Sequence, residues 1–127
     1  MLLVVSVDAS FAETNHPIDL KEAQCIEKDD STAGMANCTK QSDDVWDQEV
    51  NKYYSLLMKK LNKDQTNKLR QAQRSWLEYR DKEIENISSF FSTKEGAMWV
   101  NVRGANYRDL IKRRALDLKE YYDLLEY

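Results

Sequence analysis

The side chains in this sequence with the most chemical potential are a single histidine, two cysteines and a cluster of carboxylates. Glu78, Asp81, Glu83 and Glu85 could form an acid–base pair, since carboxylates in unlike surroundings divide the work of donating and accepting protons. Acids spaced this closely on one helical stretch are more simply read as a solvated face. His16 stands beside Pro17 with no partner at ligand spacing, so no metal site is expected. Cys25 and Cys38 are too far apart for a Cys-x-x-Cys redox motif, and cysteine–histidine catalysis lacks support. Without a nucleophile and its base, a glycine loop for phosphate or a ligand cluster, the chain reads as a non-enzyme needing no cofactor.

The even cysteine pair has a structural reading instead. A bridge between Cys25 and Cys38 would close a short loop and contribute on the order of 3 kcal/mol; two reduced, buried thiols are the other reading. An oxidising compartment would agree with the first twelve residues, where Leu2, Leu3, Val4, Val5 and Val7 precede Ser10-Phe11-Ala12. This is the pattern of the end of a secretory signal, and a buried N-terminal strand or helix is the alternative. The expectation is therefore a signal segment over 1–12, a single domain over 13–127, and a periplasmic or secreted product. No later stretch is apolar enough to span a bilayer.

With 127 residues, one proline and three glycines, the chain has room for one core and too few turn formers for a many-stranded sheet. The periodicity is helical. Asp19 is placed to cap a short helix from Leu20 to about Lys28, and Thr32 to cap a second. In that second helix Met35, Cys38, Val45, Trp46, Val50, Tyr53, Leu57 and Leu61 recur mostly at steps of three and four, a stripe facing a partner. Asn62 and Gln65 form a capping box that opens a third helix within a few residues of the second helix's end. The third carries Leu69, Ala72, Trp76, Tyr79, Ile84, Ile87 and Phe91 on one side and frays over Ser92–Gly96. The last begins near Ala97, with an interruption expected at Gly104, and its stripe includes Trp99, Val102, Tyr107, Leu110, Ile111, Leu118, Tyr121 and Leu125. The predicted fold is all-α: an antiparallel hairpin or bundle of about three long helices, with a short N-terminal helix tied on by the disulfide.

Charge is unevenly distributed. Residues 13–49 hold ten Asp or Glu against three Lys, a net −7, whereas residues 50–127 hold eleven against sixteen Lys or Arg, a net +5. An exposed acidic front, with Glu27, Asp29, Asp30, Asp43 and Asp44 as candidate contacts, would attract a basic protein and repel nucleic acid. Alternatively the acidic front lies against the basic remainder and neutralises it; both readings are open.

Two rows of polar and aromatic residues stand out. Gln73, Trp76 and Arg80 share one helical face, and Asp47, Asn51 and Tyr54 share a face of the preceding helix. They read either as a binding surface or, preferably, as the interior of a helical hairpin tied by a bridge from Asp47 or Asn51 to Arg80, because Trp and Tyr at helical spacing are more often core. An exposed tryptophan among Trp46, Trp76 and Trp99 would mark a contact.

In this order and spacing, Cys25, Thr32, Met35, Cys38, Asp47, Val50-Asn51, Tyr54, Leu69, Gln73, Trp76, Tyr79-Arg80-Asp81 and more loosely Arg114 and Leu118 resemble the LprI-like family of bacterial lysozyme inhibitors. The resemblance runs from about Cys25 to Tyr121. It implies a helical fold, an oxidising compartment and, for the characterised branch, binding and inhibition of animal-type lysozyme. Relatives often have a further cysteine pair where Ile84 and Tyr107 stand here, so a second staple is not expected. Function is thus read as a protein-binding inhibitor of a lysozyme-type peptidoglycan hydrolase, with a structural or adaptor protein of the cell envelope as the alternative. The fold carries over more safely than the activity.

Overall fold

The computed structural model describes residues 16–127; the expected signal segment over 1–12 lies outside them. Four helices follow one another: α1 (Pro17–Lys28), α2 (Thr32–Lys60), α3 (Lys63–Phe91) and α4 (Ala97–Leu124). This is the all-α fold expected, with three long helices and a short first one.

Each boundary has a local cause. α1 is capped by His16, whose Nδ1 accepts a hydrogen bond from the Ile18 amide at 3.1 Å. Pro17 at the first helical position has no N–H to leave unsatisfied, and Asp19 lies in the first turn, where a carboxylate favours the helix dipole. The helix therefore starts earlier than the Asp19 cap predicted: a neutral imidazole nitrogen accepts as a capping oxygen does. α2 is capped by Ser31, one residue before the expected Thr32, through a 3.0 Å bond from the Gly34 amide. Asp29 fastens that turn by accepting from both the amide and the hydroxyl of Ser31, at 3.2 and 2.6 Å. The capping box between α2 and α3 is present as expected, with Asn62 and Gln65 exchanging bonds of 2.9 and 3.1 Å. α3 stops at Ser92, and Gly96, at φ 108°, turns the chain into α4. α4 does not break at Gly104, contrary to expectation. A lone glycine costs a helix about 1 kcal/mol, well within what the packing of so long a helix supplies.

The core lies between α2 and α4. These two run parallel: Met35 meets Asn101, Tyr53 meets Tyr122, and Lys60 reaches Glu126. Trp46, Val50 and Leu57 of α2 pack with Ile111, Ala115 and Leu118 of α4, and Leu118 is fully buried. Burial of each large side chain contributes roughly 1.5–3 kcal/mol. The apolar stripe of α2 thus faces a partner, as its period predicts, but that partner is α4 and not its sequence neighbour α3.

α3 returns the chain antiparallel to α4 and barely enters the core. Within the described residues it buries Gln73 alone, while Leu77, Tyr79 and Phe90 stay exposed. The stripe predicted for α3 is correspondingly half-filled: Leu69 and Trp76 rest against the core cluster, and Ala72 and Tyr79 face solvent. With α2 and α4 already packed along their length, little apolar surface remains for α3 to cover.

α1 lies antiparallel across both α2 and α4. The Cys25–Cys38 disulfide fixes its far end to α2, with Cα atoms 5.7 Å apart. Nearer its start, Asp19 pairs with Lys112 at 2.7 Å and Glu22 pairs with Arg108, all four side chains mostly buried. The His16 ring packs on Trp46, centroids 4.5 Å apart, and Lys112 lies over the same indole.

Candidate functional surfaces

The disulfide-bound end carries the acidic front, and the structure divides it. Asp19 and Glu22 turn inward and are neutralised by Lys112 and Arg108, so part of the front does lie against the basic remainder. Glu27, Asp29 and Asp30 are exposed at the α1–α2 turn. The two hydrogen bonds from Ser31 hold the Asp29 carboxyl below its usual range. Asp43 and Asp44 stand on α2, about 18 Å along the helix from Ser31 at 1.5 Å per residue. Asp44 is exposed and bound to Lys40, whereas Asp43 is half-buried, and desolvation pushes its carboxyl upward. The five expected contacts therefore form two groups, Glu27, Asp29 and Asp30 at the end of α1 and the turn after it and Asp43 and Asp44 along α2, not one continuous patch.

The two motif rows meet differently from a closed seam. Asp47, Asn51 and Tyr54 on α2 and Gln73, Trp76 and Arg80 on α3 line the two sides of one open groove of about 480 Å³, joined by Val50, Leu77, Arg70 and Arg74. The predicted bridge from Asp47 or Asn51 to Arg80 is absent among the described residues. Arg80 turns instead to Asp81, at 3.0 Å, and stacks over Trp76. From the other neighbour, Arg114 also stacks over Trp76 and donates to Gln73 Oε1 at 2.9 Å. Gln73 is thus the buried anchor of the row, Trp76 and Arg80 are half-buried, and Tyr79 and Asp81 point to solvent. The groove sets three cations, Arg70, Arg74 and Arg80, against one carboxylate, Asp47, so closing it would desolvate more guanidinium charge than that wall can pair.

The carboxylates of α3 do not assemble into an acid–base pair. Glu83 accepts hydrogen bonds from Asn86 and Tyr79, both 2.7 Å, and these hold its carboxyl low, the wrong direction for a general acid at neutral pH. Among the described residues no group of three His, Cys, Asp or Glu could hold a metal ion. No helix there is long and apolar enough to cross a membrane. Of the tryptophans, Trp46 is buried and Trp76 and Trp99 are half-buried, so none is the fully exposed contact sought. Tyr107 bonds its hydroxyl to that of Ser88 and so links α3 to α4.

Sequence reasoning missed three features. The His16 cap was hidden because histidine seldom serves as one. The stacking of Trp76 between Arg80 and Arg114 needs a residue from α4 that no local pattern links to α3. The close approach of Asp29 to Gly34 is likewise invisible in one dimension, although a glycine in the first turn of a helix is a signal worth following.

Fold and surfaces together define a small, disulfide-tied helical domain that offers an acidic end and a polar groove. The description "Lysozyme inhibitor LprI" matches residues 22–118, and the chain belongs to that family. In three dimensions it is similar to an uncharacterized protein from Burkholderia thailandensis, with a TM-score of 0.80 and 29% identity, covering 85% of this chain. The similarity takes in 54% of that protein, so this chain spans about half its length. No curated protein matches the sequence.

Proposed function

We propose that this protein is a periplasmic or secreted, non-catalytic inhibitor that binds a lysozyme-type peptidoglycan hydrolase. Membership of the LprI lysozyme inhibitor family is the observation that carries this reading. The acidic end supports it physically. Because Asp19 and Glu22 are consumed by internal ion pairs, the outward acids Glu27, Asp29 and Asp30 are left to act on a partner, with half-buried Asp43 and the Lys40-bound Asp44 further along α2. A basic hydrolase would be drawn to that end by long-range attraction and would meet a surface that the disulfide keeps in place. The domain over 13–127 acts as one unit in this account, behind a signal segment over 1–12.

The test is association kinetics of the oxidised protein with an animal-type lysozyme. Replacing Glu27, Asp29 and Asp30 together by Lys should slow association at least tenfold at low salt and flatten its salt dependence. Equal rates for the variant and the parent protein would remove the acidic end from the mechanism.

A further inference from the structure

The groove between α2 and α3 presents opposed chemistries on its two walls. On the α2 wall stand Asp47, Asn51 and Tyr54, rich in acceptor oxygens. On the α3 wall stand Arg70, Arg74 and Arg80, which only donate. Arg80 is held in place by Asp81 and by stacking on Trp76, and Arg70 by Asn67 at 3.0 Å. Arg74 has no ion pair among the described residues. Behind them, Arg114 Nη2 is buried without a hydrogen-bond partner. Such a site is electropositive on one side only.

A ligand satisfying both walls carries hydroxyls that donate toward α2 and an anionic group that accepts from the guanidiniums, preferably bidentate. It also has a ring face with apolar C–H groups for Tyr54 and the exposed edge of Trp76. We infer that this groove binds an acidic saccharide, a sugar chain bearing carboxylates, of one or two rings. Its volume of about 480 Å³ falls in the usual range of small-molecule sites, roughly 300–1,000 Å³. A short acidic peptide also supplies N–H donors to the α2 wall, but it lacks the hydroxyl-bearing ring whose C–H face would lie against Tyr54 and Trp76. This inference stands apart from the inhibitor reading, since the groove is not the acidic end and its test contains no hydrolase.

The experiment is a titration of the ¹⁵N-labelled protein with the disaccharide N-acetylglucosaminyl-N-acetylmuramic acid, which carries a carboxylate, and with chitobiose, which does not. The protein has three tryptophans, whose indole N–H signals are assigned with Trp76→Phe. The acidic disaccharide should shift the Trp76 signal while leaving Trp46 still, and chitobiose should bind at least tenfold more weakly. Arg74→Ala, at an exposed position that leaves the fold intact, should weaken the acidic sugar at least fivefold. Equal binding of the two sugars would overturn the inference, as would no binding of either, or a zwitterionic dipeptide shifting Trp76 more strongly than the acidic sugar.

Discussion

Glu22 of α1 holds Arg108 of α4 in an ion pair that is mostly shielded from water, 86 residues away in sequence. Arg108 also binds Asp109, so one guanidinium serves two carboxylates. Together with Asp19–Lys112 this pairing lays a short helix with no buried residue of its own onto the core. The first helix is therefore held by charge and by one covalent bond more than by apolar burial.

Removing one partner of such a pair strands the other. Arg108→Met should destabilise the fold by about 3 kcal/mol, read from denaturant midpoints, because Glu22 stays shielded without its cation. The double variant with Glu22→Gln should recover a good part of that loss. A strictly additive pair of losses would show that the two side chains do not interact.

Reduction should loosen the same helix. The bridge spans 13 residues, and opening it should cost on the order of 3 kcal/mol. Mass measured before and after reduction should differ by two hydrogens, and hydrogen exchange should accelerate in α1 before α2 or α4. Unchanged exchange in α1 would mean that the ion pairs alone suffice.

Much of this architecture is legible in the sequence. The steps of three and four in α2 and α4 predict the buried stripes, and Asn62 with Gln65 predicts the turn into α3 to the residue. Periodicity says that a face is covered but not by what, which is why the parallel α2–α4 core was not foreseen and a hairpin seam with α3 was. For the same reason the rows from Asp47 and Gln73 were expected to close on each other. The surplus of arginine on the α3 wall, three against the single carboxylate Asp47, is a charge count across two helices that neither reveals by itself. The acidic surplus before residue 50 was plain; which acids turn inward was set by Arg108 and Lys112, far along the chain.

Gly34 is a position where a methyl group cannot be accommodated. A Cβ there would lie 2.2 Å from Asp29 Cγ and 2.4 Å from its backbone oxygen. Gly34→Ala should therefore destabilise the protein by roughly 1–3 kcal/mol, despite the better helix propensity of alanine. Thermal unfolding would check this, and a raised midpoint would show that the Asp29 turn is not as tight as described.

The single histidine gives a pH signature. Burial lowers the His16 pKa below its usual 6.5, against the pull of Asp19 and Glu49, and its Nδ1 must remain unprotonated to cap α1. The unfolded chain thus takes up a proton at higher pH than the folded one. The His16 contribution is complete above about pH 6.5 and is lost as pH falls through the depressed folded value. An NMR titration of the imidazole should give a midpoint under that of a free histidine, and His16→Asn should flatten this part of the stability profile. A midpoint above the free value would contradict the cap.

The most direct measurement is lysis of a cell-wall suspension by an animal-type lysozyme at low ionic strength, followed by turbidity, with the oxidised protein in molar excess. Clearing should slow in proportion to the inhibitor added until the enzyme is saturated, and raised salt should restore it. Clearing at the uninhibited rate throughout would contradict the assignment of this protein as an inhibitor of that enzyme class.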